Sequence, residues 1–212
     1  MKIKFVVILI ALFSMTYSCK PSVEGEKSQF KDNIQKMKTY SVRFPGTAPY
    51  LKKLYRAAKR SWNTALKIKN KDKRAEEMDR INDSISKSPI MKELNNYYFK
   101  RKRLSFLFNW IKDLRFSPYA DSIKIMIKSL KKDAKKAKSI IRRNYQSLKE
   151  RSFSSTSNVV NTFDKANSLL TDIYNNLDRK YREVRKKINS LKKGKKSKNN
   201  KKHKSKNNSN EV

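Results

Sequence analysis

The chain has 212 residues, with 54 lysines and arginines against 18 aspartates and glutamates, a formal net charge of +36. It holds one cysteine, one histidine and three glycines. That inventory leaves no intramolecular disulfide, no Cys/His metal cluster and little turn chemistry for an all-β fold.

Residues 1–18 read as an export signal. Lys2 and Lys4 form a positive start, and Phe5 to Phe13 (FVVILIALF) is apolar but too short to span a bilayer. Cys19, the sole cysteine, stands directly after this region. Its position predicts cleavage before Cys19 and acylation of that residue, as bacterial lipoprotein processing requires. Ser18 fits the cleavage motif, whereas Tyr17 and Thr16 depart from it and Met15 supplies the apolar residue one place early. Removing 1–18 takes away two lysines and no acid, which leaves +34. A field of that sign attracts polyanions: sulfated polysaccharide, nucleic acid, anionic lipid or an acidic protein face. Export argues against the genome as partner.

Residues 19–27 read as a lipidated polar tether. Phe30, Ile34, Met37 and Tyr40 recur at helical spacing and predict a first helix. Pro45, Gly46 and Pro49 predict a loop, with Thr47 as the cap of a second helix. Leu51, Leu54, Tyr55, Ala58, Trp62, Ala65 and Leu66 give that helix its buried stripe. Residues 71–87 balance five acids with five bases around Met78, Ile81 and Ile85, and predict a solvated, weakly packed helix. Ser88-Pro89 starts a helix to about Phe116, and Ser117-Pro118 a long one to about Arg151. After a break at 154–157, a last helix runs to about Lys193 on Phe163, Ala166, Leu170, Ile173, Leu177, Val184, Ile188 and Leu191. The fold expected over 28–192 is all-α, a five- or six-helix antiparallel bundle. Residues 193–212 hold eight lysines and almost nothing apolar, so a disordered basic C-terminal tail is expected.

The sharpest pattern lies on the long helix. Its core positions are Ile123, Ile127, Leu130, Ala134, Ala137, Ile141 and Leu148. One residue further round run Lys124, Lys128, Lys131, Lys135, Lys138 and Arg142, with Lys132, Lys136 and Arg143 beside them. This is a basic stripe about 27 Å long at helical rise, interrupted only by Asp133. Like charges at these spacings cost ~0.2–0.5 kcal/mol per pair, and opposite charges would solubilise the helix without that cost. The stripe is therefore the candidate polyanion site. Ala134 to Ser139 also matches the X-B-B-X-B-X pattern of heparin-binding segments, as do Leu191 to Lys196 and Asn200 to Ser205, although in so basic a chain chance matches are expected.

A secondary basic and aromatic patch is Lys100-Arg101-Lys102-Arg103, set between Tyr97-Tyr98-Phe99 and Phe106-Leu107-Phe108-Asn109-Trp110. Such interleaving grips single-stranded nucleic acid in some proteins. The blander expectation is that Leu104, Leu107, Phe108, Ile111 and Leu114 line a core face while Phe99, Phe106 and Trp110 pack on a second neighbour. Exposed, Phe106 and Trp110 would instead mark a protein-binding patch. His203 lies in the tail, and no phosphate-cradling loop or nucleophile–base pair is legible, so no catalytic residue, metal or cofactor is expected.

The loose cleavage motif ending at Cys19, the Lys/Asn/Ile-rich composition, the helical body and the Lys/Asn tail together resemble surface lipoproteins of Borrelia-like spirochaetes. The resemblance covers layout and no residue-level motif. It implies an outer-membrane, surface-exposed protein, in a group that includes adhesins for decorin and glycosaminoglycans, fibronectin binders and complement inhibitors. The first expectation is an adhesin for sulfated polysaccharide or proteoglycan. The second is an immune-evasion lipoprotein docking a host serum protein, and the third a structural lipoprotein holding anionic lipid or an envelope polymer.

Overall fold

A computed structural model describes the backbone of residues 21–207 and the side chains of residues 21–194. Cys19 and the export signal lie outside the described residues. The protein is all-α, with six α-helices and no strand among the described residues. They are α1 (Val23–Arg43), α2 (Ala48–Ala65), α3 (Lys71–Ser86), α4 (Pro89–Asp113), α5 (Lys124–Glu150) and α6 (Thr156–Asn207). The backbone of α6 continues to Asn207, beyond the boundary that composition draws at 193; residues 208–212 lie outside the described residues. None of the described helices is long and apolar enough to cross a membrane. Over the described residues the chain divides into two compact units, one of 21–42 and 48–91, the other of 43–47 and 92–207.

In the first unit, α1 starts within the stretch expected to be a tether. The Gly25 amide donates to Ser22 Oγ at 3.1 Å and the Glu26 amide to Ser22 O at 2.9 Å, so Ser22 supplies the cap. Val23 and Glu26 are buried in that first turn. Composition misleads here because the polar residues are used locally. Thr47, in the 43–47 turn that belongs to the second unit, likewise departs from its expected capping role: its hydroxyl donates back to Phe44 O at 2.8 Å, inside a 3-10 turn, Pro45–Thr47. Leu66 falls just after α2 and is 43% exposed rather than part of the stripe.

Helix α3 is firmly packed, which corrects the expectation of a solvated segment. Asn70 caps it through Lys73 N at 3.0 Å, and Arg74 Nε closes the preceding turn on Ile68 O at 2.8 Å. Ala75, Met78, Ile81 and Ile85 are buried against the rest of the unit. Among them sits Asn82, with no exposed surface. Its Nδ2 donates to Glu26 O at 2.9 Å and to Glu26 Oε2 at 2.8 Å, while its Oδ1 accepts from Asn33 Nδ2 at 3.3 Å. A buried carboxylate is tolerable only when so satisfied.

In the second unit, Phe44 is fully buried and meets Tyr97, Tyr145 and Phe163 edge-on, with centroids 5.8, 5.5 and 5.0 Å away. Burial pushes the Tyr97 phenol up to about 12 and raises that of Tyr98, so both rings stay neutral at physiological pH. Gly46 lets this turn pass tight against the chain end of α5: a Cβ there would fall 2.1 Å from Arg151 O. A second polar clamp ties α4 to α6, Asn167 Nδ2 donating to Glu93 O at 3.0 Å and Glu93 Oε2 at 2.7 Å.

Helix α5 begins later than Ser117-Pro118 predicts. Ser117 is extended before the proline, Ala120 N bonds Ser117 O at 2.9 Å, and a 3-10 turn Asp121–Ile123 follows. Ile123, at φ −129° and ψ 24°, separates that turn from the α-helix. Removing the Asn82 amide takes the Nδ2 donor from the buried Glu26 carboxylate and carbonyl. Asn82→Ala is therefore expected to lower unfolding free energy by about 2–3 kcal/mol, read as a shift of the urea midpoint at unchanged m-value. A loss under 0.5 kcal/mol, well below the ~1–3 kcal/mol range of such penalties, would mean that the clamp is not a stabilising element.

Candidate polyanion-binding surface

The two faces of α5 are set by one periodicity. Ile127, Leu130, Ala134, Ala137, Ile141 and Leu148 are all buried, as is Ile123 just before the helix. Turning one residue, about 100°, from that seam brings each stripe cation out of the interface to its solvent-facing flank. Lys124, Lys128, Lys131, Lys135, Lys138 and Arg142 are exposed, and so are Lys132, Lys136 and Arg143. Neighbours along the stripe are about 4.5–6 Å apart along the axis, inside the ~8 Å Debye length of physiological salt. Their repulsion is therefore only partly screened. Among the described residues none of the nine forms an ion pair with an acid. Lys138 alone has an aromatic neighbour, its Nζ 4.9 Å from the Phe108 ring centre.

Asp133, the one acid in the stripe, does not neutralise it. Its Oδ2 accepts from Lys180 Nζ on α6 at 2.6 Å, and the two side chains are 28% and 39% exposed. The acid is spent on holding α5 to α6. Nothing in the local spacing on α5 pointed to this, because the partner lies 47 residues away.

Lys100 to Arg103 do not form the single patch that their adjacency implies. Successive residues on a helix point about 100° apart, and each cation finds its own surroundings. Lys100 Nζ donates to Asn167 O at 3.1 Å. Arg101 lies over Tyr145 at 4.3 Å, and Arg103 over Tyr174 at 3.9 Å. Lys102 is 6.0 Å from the Phe106 ring centre. Lys100 and Arg101 are thus turned toward the interior of the unit, leaving Lys102 and Arg103 at the surface.

The aromatics of α4 also sit differently from the blander expectation. Leu104, Leu107, Ile111 and Leu114 are buried, but Phe99, Phe106 and Trp110 are 66%, 50% and 49% exposed. Their spacing of seven and four residues puts them on one outer face. Trp110 stacks on Tyr181 of α6 at 6.1 Å, which holds the indole in place without covering it. Among the described residues no group of three or more His, Cys, Asp or Glu side chains could hold a metal ion.

No family model, curated protein or solved structure matches the chain. The reading of the surface therefore rests on its own geometry. Asp133 supplies a sharp check. Asp133→Asn is expected to cost less than ~1 kcal/mol, since the pair is partly solvated, and to raise heparin affinity by leaving Lys180 an unpaired cation beside the stripe. Elution from immobilised heparin at unchanged or lower salt would mean that the ligand does not run along α5.

Proposed function

We propose that this protein is a lipid-anchored surface adhesin that holds sulfated polysaccharide or proteoglycan along α5. The observation that carries the reading is nine exposed cations on one helix, none paired to an acid among the described residues. A linear polyanion lying on such a row displaces counterions from both surfaces, so binding gains free energy and falls steeply with salt. The buried seam keeps the row straight, so the cations act on one extended ligand.

Replacing Lys128, Lys131, Lys135 and Lys138 with glutamine removes four charges from the +34 of the mature chain, a small change in the average field. Heparin affinity is nevertheless expected to collapse, with the slope of log affinity against log salt flattening by up to ~3–4. Replacing Lys198, Lys201, Lys202 and Lys204 is the charge-matched control and is expected to do much less. Equal losses in the two variants would replace the stripe with diffuse electrostatic adhesion.

A second reading has its own observation. The outer face of Phe99, Phe106 and Trp110 has the aromatic character of protein-binding hot spots, and supports docking of a host serum protein. Phe106→Ala with Trp110→Ala separates the two: heparin binding should survive, whereas binding of a purified complement component should not.

Anchoring is tested at Cys19. Cys19→Ala is expected to abolish palmitate labelling and partitioning into detergent. Retention of both would place the anchor elsewhere.

A further inference from the structure

The first unit carries a groove that the basic stripe does not involve. It lies between α1 and α2, a cavity of about 510 Å3 floored by Ile34, Met37, Leu51 and Tyr55, with Val42 and Ala48 toward the intervening turn. A hollow of about 330 Å3 shares Ile34, Lys38 and Tyr55 with it and ends at Phe30 and Trp62. The two make one trough beside α1 from Phe30 to Val42, about 18 Å at helical rise. Met37 and Leu51 form its deep wall at 3% and 1% exposure, while Val42 stands 77% exposed at the mouth. Size and lining match small-molecule sites, which span ~300–1,000 Å3 and are apolar with a few placed polar groups.

The rim carries one sign of charge. Lys38 and Lys52 border the larger hollow and Lys31 and Lys59 the smaller, and neither lining includes an acid. All four lysines are exposed. An apolar floor excludes sulfated sugar and nucleic acid, whose polar groups would lose water without finding partners. A rim whose charges are all positive repels a second copy of so basic a chain, and its lysine-rich tail as well. An alkyl chain ending in an anion meets both conditions. We propose that the α1/α2 groove binds a monomeric long-chain fatty carboxylate, its alkyl chain along the trough and its carboxylate between Lys38 and Lys52. The site is independent of the polyanion reading and stands or falls without it.

Trp62 gives a direct reporter. It is 8% exposed in the groove wall and stacks on Phe30 at 4.1 Å. The full chain with Trp110→Phe keeps Trp62 as its only indole. Titration with dodecanoate below its micelle concentration is expected to shift Trp62 emission saturably and to raise Tm. Decanoate, two methylenes shorter, should bind roughly tenfold more weakly. Lys38→Gln with Lys52→Gln alters only exposed side chains, and should weaken dodecanoate by roughly fivefold to tenfold while leaving dodecanol unchanged. Val42→Glu, also exposed, should weaken it too by placing a like charge at the mouth. The proposal is overturned by no saturable response, by an equal response to dodecylamine, or by wild-type affinity in the lysine variant. It is equally overturned if Trp62 responds only to vesicles of anionic phospholipid, which would make the groove a membrane contact.

Discussion

Phe44 meets Tyr97 of α4, Tyr145 of α5 and Phe163 of α6 in T-shaped, edge-to-face pairs. Edge-to-face pairs add ~0.5–1.5 kcal/mol each beyond the area they bury, and they also fix angles. A side chain that touches three helices sets how each is rotated about its own axis. For α5 that rotation decides what faces water, because its buried seam and its cations are one residue apart. Gly46 completes the arrangement by letting the turn that carries Phe44 lie against the backbone of Arg151. The outward presentation of the stripe thus depends on an aromatic contact made by Tyr145, which stands seven residues beyond Lys138 in the stripe's own register.

A chain with this much positive charge must hold its core against self-repulsion. Each unit uses the same polar device beside its apolar seam. Asn82 grips Glu26 in the first unit and Asn167 grips Glu93 in the second, each amide donating both to the glutamate's carbonyl and to its carboxylate. Acids are scarce in this sequence, and two of them are bound inward in this way while Asp133 is bound to Lys180. The outer surface is cationic partly because these acids serve the interior.

The seam of α5 was legible because apolar and charged residues separate cleanly at helical period, and every expected core position there is buried. Helix α4 was harder to read. Its apolar and polar residues are mixed around the whole circumference, so periodicity could not say which aromatics meet neighbours and which meet water. Helix α3 misled because its five acids and five bases around few apolar positions read as solvated, and Asn82, at a seam position between Met78 and Ile85, shows its burial only once its partner 56 residues away is known. The same spacing, Asn167 between Phe163 and Leu170, recurs in α6. A polar amide at regular core spacing was the available signal for both clamps. The stripe could be read from local spacing alone, whereas the role of Asp133 could not.

The one-residue offset between seam and stripe has a consequence for how this surface can change over time. Inserting or deleting a single residue in α5 would rotate everything beyond it by about 100°, turning lysines inward and leucines outward together. Length changes near seven residues (two turns) or eleven (three turns), each with a drift of ~20°, keep both faces in place. The cationic row can therefore be tuned by substitution at any position, but it is lengthened without losing its faces in steps of about two or three turns. Its smallest increment of reach on an extended ligand would be about 10 Å.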